Sequence, residues 1–212
     1  LRGGDARHLE GNGARLVRER ALASAVQRSL ERLYQLEEGA SVDAFLQAAE
    51  DGERESVLVR EAEDGAVEIA VRVPALNGER DDLDGLCQLI EGVSHFVYLA
   101  ERARTERGAT QLELELQAEV DKYVVLGGAM RAFDADKSAA LRSNLFESVR
   151  FADAEDSDEG ERYRVANELA NRFVRRLERE YVAARRFAAM RDELRTFYRM
   201  GQEAKLRVGW AA

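Results

Sequence analysis

The chain is short of several residue types, and each shortage closes a class of chemistry. Its 212 residues include one cysteine, one proline and two histidines. Cys87 alone can form no internal disulfide and cannot build a cysteine-based zinc site within one chain. His8 and His95 are the only histidines, so the paired Glu-x-x-His motifs of di-metal helical bundles are missing. The single proline, Pro74, ends a β-rich run, where its missing N–H does no harm. Lysine is scarce too: Lys122, Lys137 and Lys205 are the only three among 32 basic residues, a bias that fits a GC-rich genome.

Long apolar runs are also lacking. "YVVLGGAM" from Tyr123 falls far short of the roughly 18–20 residues that a membrane span needs, so no membrane association is expected. No charged segment followed by an apolar one opens the chain, and the expected location is cytoplasmic. The first residue is Leu1, which leaves a removed leader open. Catalytic signatures are equally sparse. There is no G-x-S-x-G, no P-loop and no G-x-G-x-x-G after a strand. The acidic stretches "DADKS" (134–138) and "DAEDSDEGE" (153–161) fail as EF-hand loops, because placing Gly160 sixth puts Ala166 where a bidentate Glu is required. No cofactor is expected.

What is present is globular composition, 45% hydrophobic and 34% charged, in a length that suits one domain. Residues 1–13 read as a glycine-rich flexible lead-in and 14–207 as a single α+β domain, mainly helical. Leu16, Ala23, Val26, Leu30 and Leu33 recur at helical spacing from Arg15 to Leu36. A short helix is expected after Ser41 as N-cap. Val67, Ile69, Val71 and Val73 then alternate with other residues, and Asp64-Gly65 signals a two-residue turn, so a β-hairpin spans about 55–73. Two strands alone are marginal in water, and the hairpin must pack on helices, gain a third strand or pair with another chain.

Leu83, Leu86, Ile90, Val93, Val97 and Ala100 form a strict seam that predicts a helix over 81–103. Leu112, Leu114 and Leu116 alternate like a strand. Thr110 and Glu113, however, form a capping box, and helix is preferred there. A further helix is expected over 138–148. The last, over 158–200, has Asp158 and Glu161 as its capping box. It is too long for a compact domain at 1.5 Å per residue, and so must bend, break near Val182 to Arg186, or project.

Charge is separated along the chain. Residues 1–36 carry seven arginines against four acids, 37–160 carry 12 basic against 30 acidic residues, and 161–212 carry 13 against seven. Self-packing of opposite charges is the favoured reading. The alternative is a nucleic-acid stripe of Arg172, Arg175, Arg176, Arg179, Arg185 and Arg186, disfavoured by net charge and by the interrupting Glu168, Glu178 and Glu180. Arg172, Arg175, Arg176 and Arg179, with Phe187, Phe197 and Tyr198, are the expected interaction surface, and a protein partner or a second copy the expected occupant.

One constellation invites chemistry. His95 lies four residues after Glu91 and three before Tyr98, spacings at which helical side chains are neighbours, and these three are the catalytic candidates. Glu115 and Glu119 could join Glu91 and His95 as metal ligands. A helical wheel places Glu91 and His95 on the polar side, with Asp84, Gln88 and Arg102, and therefore predicts a solvated pair. The functional expectation is a non-catalytic interaction or assembly module. The alternatives are a Glu/His enzyme or metal site and nucleic-acid binding.

Overall fold

A computed structural model describes residues 16–50, 53–61, 67–76, 83–148 and 157–211. The lead-in and the Asp64-Gly65 turn lie outside them. The helices are α1 (Val17–Tyr34), α2 (Leu83–Arg104), α3 (Gln111–Ala129), α4 (Ala135–Arg142), α5 (Asp158–Leu177), α6 (Phe187–Arg199) and α7 (Gln202–Ala211). Three strands, β1 (Leu46–Ala48), β2 (Ser56–Glu61) and β3 (Val67–Val73), form one sheet in the order β1-β3-β2. The fold is α+β and mainly helical, as the periodicities imply.

The hairpin strands pair antiparallel, Val57 opposite Val71 and Val59 opposite Ile69. They gain the third strand they need from the segment expected to be helical. After a single 3₁₀ turn at Val42–Ala44 the chain runs parallel to β3, Leu46 opposite Val71 and Ala48 opposite Val73. Tertiary bonds outweigh the local helix signal at Ser41. Arg20 donates to the Asp43 carbonyl, Gln27 accepts from the Val42 N–H, and the Val71 N–H donates to the Phe45 carbonyl at 2.9 Å.

α2 and α3 are antiparallel: Arg102 meets Glu113, Ser94 meets Asp121 and Glu91 meets Lys122. The capping box at Thr110 and Glu113 is formed. α3 packs against α2 on one flank and α5 on another, and the sheet rests on α2. That double burial explains the strand-like alternation of Leu112, Leu114 and Leu116. A helix covered on two sides carries apolar residues on more than one stripe.

Two helix starts are corrected. α4 begins at Ala135 with Asp134 as its cap, accepting from the Lys137 N–H, so "DADKS" is a helix start. α5 is capped by Ser157, whose side chain accepts from the Gly160 N–H; Asp158 lies inside the first turn and is not the cap. Of the three outcomes open to the long C-terminal segment, bending, breaking or projecting, it breaks near Val182 to Arg186. A π-helical turn over Glu178–Val182 leads to Arg185 at φ 53°, in the left-handed region. Glu178 is anchored there by Ser138 and Arg142, each at 2.8 Å. The reversal lets Phe197 stack on Phe173 at 4.2 Å between ring centroids. A shared hydrophobic core runs from Ala23 and Leu30 of α1 through Val71, Ile90, Val93 and Val120 to Phe173 and Phe197.

Candidate metal centre

Each of α2 and α3 presents two adjacent polar rows toward the other, and neither row is solvated. Ser94, Tyr98 and Arg102 on α2 face Glu113, Gln117 and Asp121 on α3. Glu91 and His95 lie beside Glu115, Glu119 and Lys122. Glu91 and His95 are only 7% and 6% exposed, which overturns the solvated pair expected from the wheel. The cover comes from three places: α3, the residue leading into β2, Glu55, and the start of α5.

His95 stands between two carboxylates, with Nδ1 3.8 Å from Glu55 Oε1 and Nε2 3.7 Å from Glu115 Oε2. One donor atom each from Glu91, His95 and Glu115 lie within 4.8 Å of one another. Glu119 joins the cluster through Lys122, whose Nζ donates to Glu119 at 2.8 Å and to Glu91 at 3.2 Å. Glu119 therefore contacts this group without belonging to the tight triplet. Cys87 stands near the same charges, and burial pushes its thiol up to about 12. Tyr98 belongs to the neighbouring row, where it binds Arg102, Glu113 and Lys205, so it is separated from the His95 cluster.

Gathering four carboxylates in a dry space disturbs their titration. Burial raises Glu55 well above the usual carboxylate range, and Glu91 and Glu115 add to the effect. Burial and Glu91 push Glu115 up to about 8. Glu119 is raised by burial, against the pull of Lys122. Burial also opposes ionisation of Glu91, but Lys122 and His95 outweigh it and hold this carboxylate below its ordinary value. His95 is lowered by burial, with Lys122 adding to the effect, against Glu91 and the Leu114 backbone, which both favour its charged form. Lys122 resists burial because Glu119 and Glu91 hold its charge. The metal-free cluster thus combines a neutral imidazole, an ionised Glu91 and, on Glu115, a carboxyl that keeps its proton at neutral pH.

Buried polar atoms are normally hydrogen-bonded, and exceptions call for a cause. Glu55 Oε2, His95 Nε2 and Glu119 Oε2 are buried without a hydrogen-bond partner. Their chemistry fits a cation. A neutral imidazole nitrogen offers a lone pair, and carboxylates release protons when a metal arrives. One nitrogen with several carboxylate oxygens suits Mn²⁺, Fe²⁺ or Zn²⁺. Two residues without an obvious signal complete the arrangement. Glu55 comes from outside the helix pair, and Gly92 makes room for it: a Cβ there would lie 3.1 Å from Glu55 Oε2 and 3.1 Å from Val71 Cγ1.

The expected interaction surface is divided by the fold. Phe197 and Tyr198 are 1% and 4% exposed, core residues rather than surface ones, because α6 turns back onto α1 and α5. Phe187 is half-buried, its ring 6.5 Å from that of Phe133. The arginines pair within the chain: Arg172 with Glu168, Arg175 with Glu147, Arg176 with Glu193 and Arg179 with Glu180. No protein-family model, curated protein or solved structure matches the chain in the comparisons made with it. None of the described helices is long and apolar enough to cross a membrane.

Proposed function

We propose that the protein binds a divalent first-row transition metal between α2 and α3, with Glu91, His95 and Glu115 as ligands and the Glu55 carboxylate as a fourth. The observation that carries this reading is the buried His95 Nε2, which has no hydrogen-bond partner and lies 3.7 Å from Glu115 in a triplet of donor atoms within 4.8 Å. Ligand atoms around one such ion sit about 2.0–2.2 Å from it, so small side-chain rotations close the triplet. Four protein ligands would leave two positions free on a six-coordinate ion. Water or a substrate oxygen could take them, and the ion would then act as a Lewis acid or lower the pKa of bound water.

The test is equilibrium dialysis of metal-free protein against Mn²⁺, Fe²⁺ and Zn²⁺ separately. Stoichiometric uptake is expected, lost in His95→Ala while the helical circular dichroism is kept. Absence of stoichiometric uptake of all three ions sinks the reading.

An assembly role is the second reading, supported by Leu58 and Val59, which are 44% and 55% exposed on the outer strand β2. An unpaired strand edge with apolar side chains is a template for another strand. Light scattering that shows only monomer at micromolar concentration would count against it. Nucleic-acid binding has weaker support, since four of the arginines that would carry it, Arg172, Arg175, Arg176 and Arg179, already face carboxylates.

A further inference from the structure

We infer that Lys122 acts as a resident second cation, so that this carboxylate cluster accepts one metal ion where its ligands are laid out for two. The inference rests on the metal reading above and goes on to fix the number of ions. Glu91 occupies the middle of the cluster. It contributes a donor atom to the triplet with His95 and Glu115, while its Oε2 accepts from Lys122 Nζ at 3.2 Å. On the far side of the ammonium lies Glu119, with Oε1 at 2.8 Å from Nζ and Oε2 without a partner. Carboxylate-bridged pairs of ions in helical bundles have this layout: a shared carboxylate in the middle, and further ligands outside each ion. Here the second place holds nitrogen.

The charges agree with that division. Glu55, Glu91, Glu115 and Glu119 could carry four negative charges, and all four side chains are at most 13% exposed. One divalent ion and one ammonium leave a single negative charge over, which Arg54 and Arg162 face from the edge of the cluster, whereas two divalent ions beside Lys122 would put three cationic centres on four carboxylates and leave those arginines facing net positive charge. A second ion bridging Glu91 and Glu119 would also need the volume that Nζ fills, because Glu91 Oε2 and Glu119 Oε1 are already within 3.2 Å of that atom. Ion and ammonium exclude each other. The Glu119–Lys122 pair, three residues apart on one helix, would otherwise look like an ordinary surface ion pair; its burial and the reach across to Glu91 are what give it this role.

The experiment counts bound Mn²⁺ at saturation and records its electron paramagnetic resonance. Wild-type protein should bind one ion with the six-line spectrum of isolated Mn²⁺. Lys122→Met should bind two, with the signal broadened by coupling. Adding Glu119→Gln to that variant should return it to one, and Lys122→Arg should stay at one. Two ions in the wild type, or a single ion in folded Lys122→Met, overturns the inference while leaving the metal reading intact. No bound Mn²⁺, Fe²⁺ or Zn²⁺ in the wild type removes both. Should Lys122→Met fail to fold, nitrogen-15 spectra of the wild type decide the matter, since the chain has only three lysines. The Lys122 ammonium resonance persisting at saturating Zn²⁺ supports the inference, and its loss with two Zn²⁺ bound overturns it.

Discussion

Two polar clusters lie side by side between α2 and α3, both buried, and they differ in whether their atoms are paired. In the first, Asp121 accepts from Tyr34, from Ser94 at 2.6 Å and from Gln117 at 2.9 Å. Lys205 of α7 reaches in to donate to Gln117 at 2.8 Å and lies over the Tyr98 ring. Arg102 joins Tyr98, Glu113 and the Met200 carbonyl. Only the Tyr198 hydroxyl beside it lacks a partner among the described groups. In the second cluster, three oxygens and nitrogens, on Glu55, His95 and Glu119, are unpaired. A satisfied buried network ties together α1, α2, α3 and the C-terminal helices. An unsatisfied one costs stability until something binds. The first is thus read as architecture and the second as a site.

That contrast can be broken most severely at Asp121. Asp121→Ala should cost about 3–5 kcal/mol in urea unfolding, because it strands the Tyr34, Ser94 and Gln117 donors and leaves Lys205 without its nearby charge. A loss below about 1 kcal/mol would mean that the paired cluster is not what holds the helices together. Metal comes next. At free metal one hundred times the dissociation constant, wild-type protein should gain about 2.7 kcal/mol, and His95→Ala should gain nothing.

The pH dependence of the metal-free protein follows. Glu115 titrates near 8 when folded against an ordinary 4.5. Between those values the folded chain holds a proton that the unfolded chain has released, so this contribution is complete below about pH 4.5 and is lost as pH rises through 8. Lys205, lowered by burial to about 7 from 10.5, works in the opposite sense. Between those values the unfolded chain holds the extra proton, and stability rises with pH. From these two groups, unfolding midpoints should fall from pH 5 to 7 in the wild type, level out between pH 7 and 8 and rise toward pH 9; in Glu115→Gln the fall below pH 7 should weaken, while the rise set by Lys205 survives. An unchanged slope in Glu115→Gln would show that its carboxyl does not carry the effect.

At pH 7 the same Glu115→Gln substitution should shift stability by no more than about 1 kcal/mol, since glutamine resembles the protonated acid already there, yet it should weaken metal uptake. Smallest of all is Gly92→Ala. Helix propensity favours alanine by about 0.8–1.0 kcal/mol, but the new Cβ crowds Glu55 and Val71 at 3.1 Å. Little net change in stability with several-fold weaker metal binding is the expected outcome, and unaltered binding would exclude Glu55 as a ligand.

What the sequence determined by itself is local. The seam from Leu83 to Ala100 specifies α2, Thr110 and Glu113 specify the start of α3, and alternation around Val67 to Val73 specifies the strand that β2 and β1 join. Those features depend on neighbours within one or two turns, which periodicity and caps record. Ser41 misleads because β1 is stabilised by bonds to β3, more than twenty residues on. The tertiary structure alone decided whether the polar side of α2 is wet. Glu91 and His95 share a helix face that any wheel calls hydrophilic. Lys122, 31 residues from Glu91, makes it an interior. Burying a charge is tolerable only opposite a partner, and no local period encodes a partner contributed by another helix or by the approach to a strand.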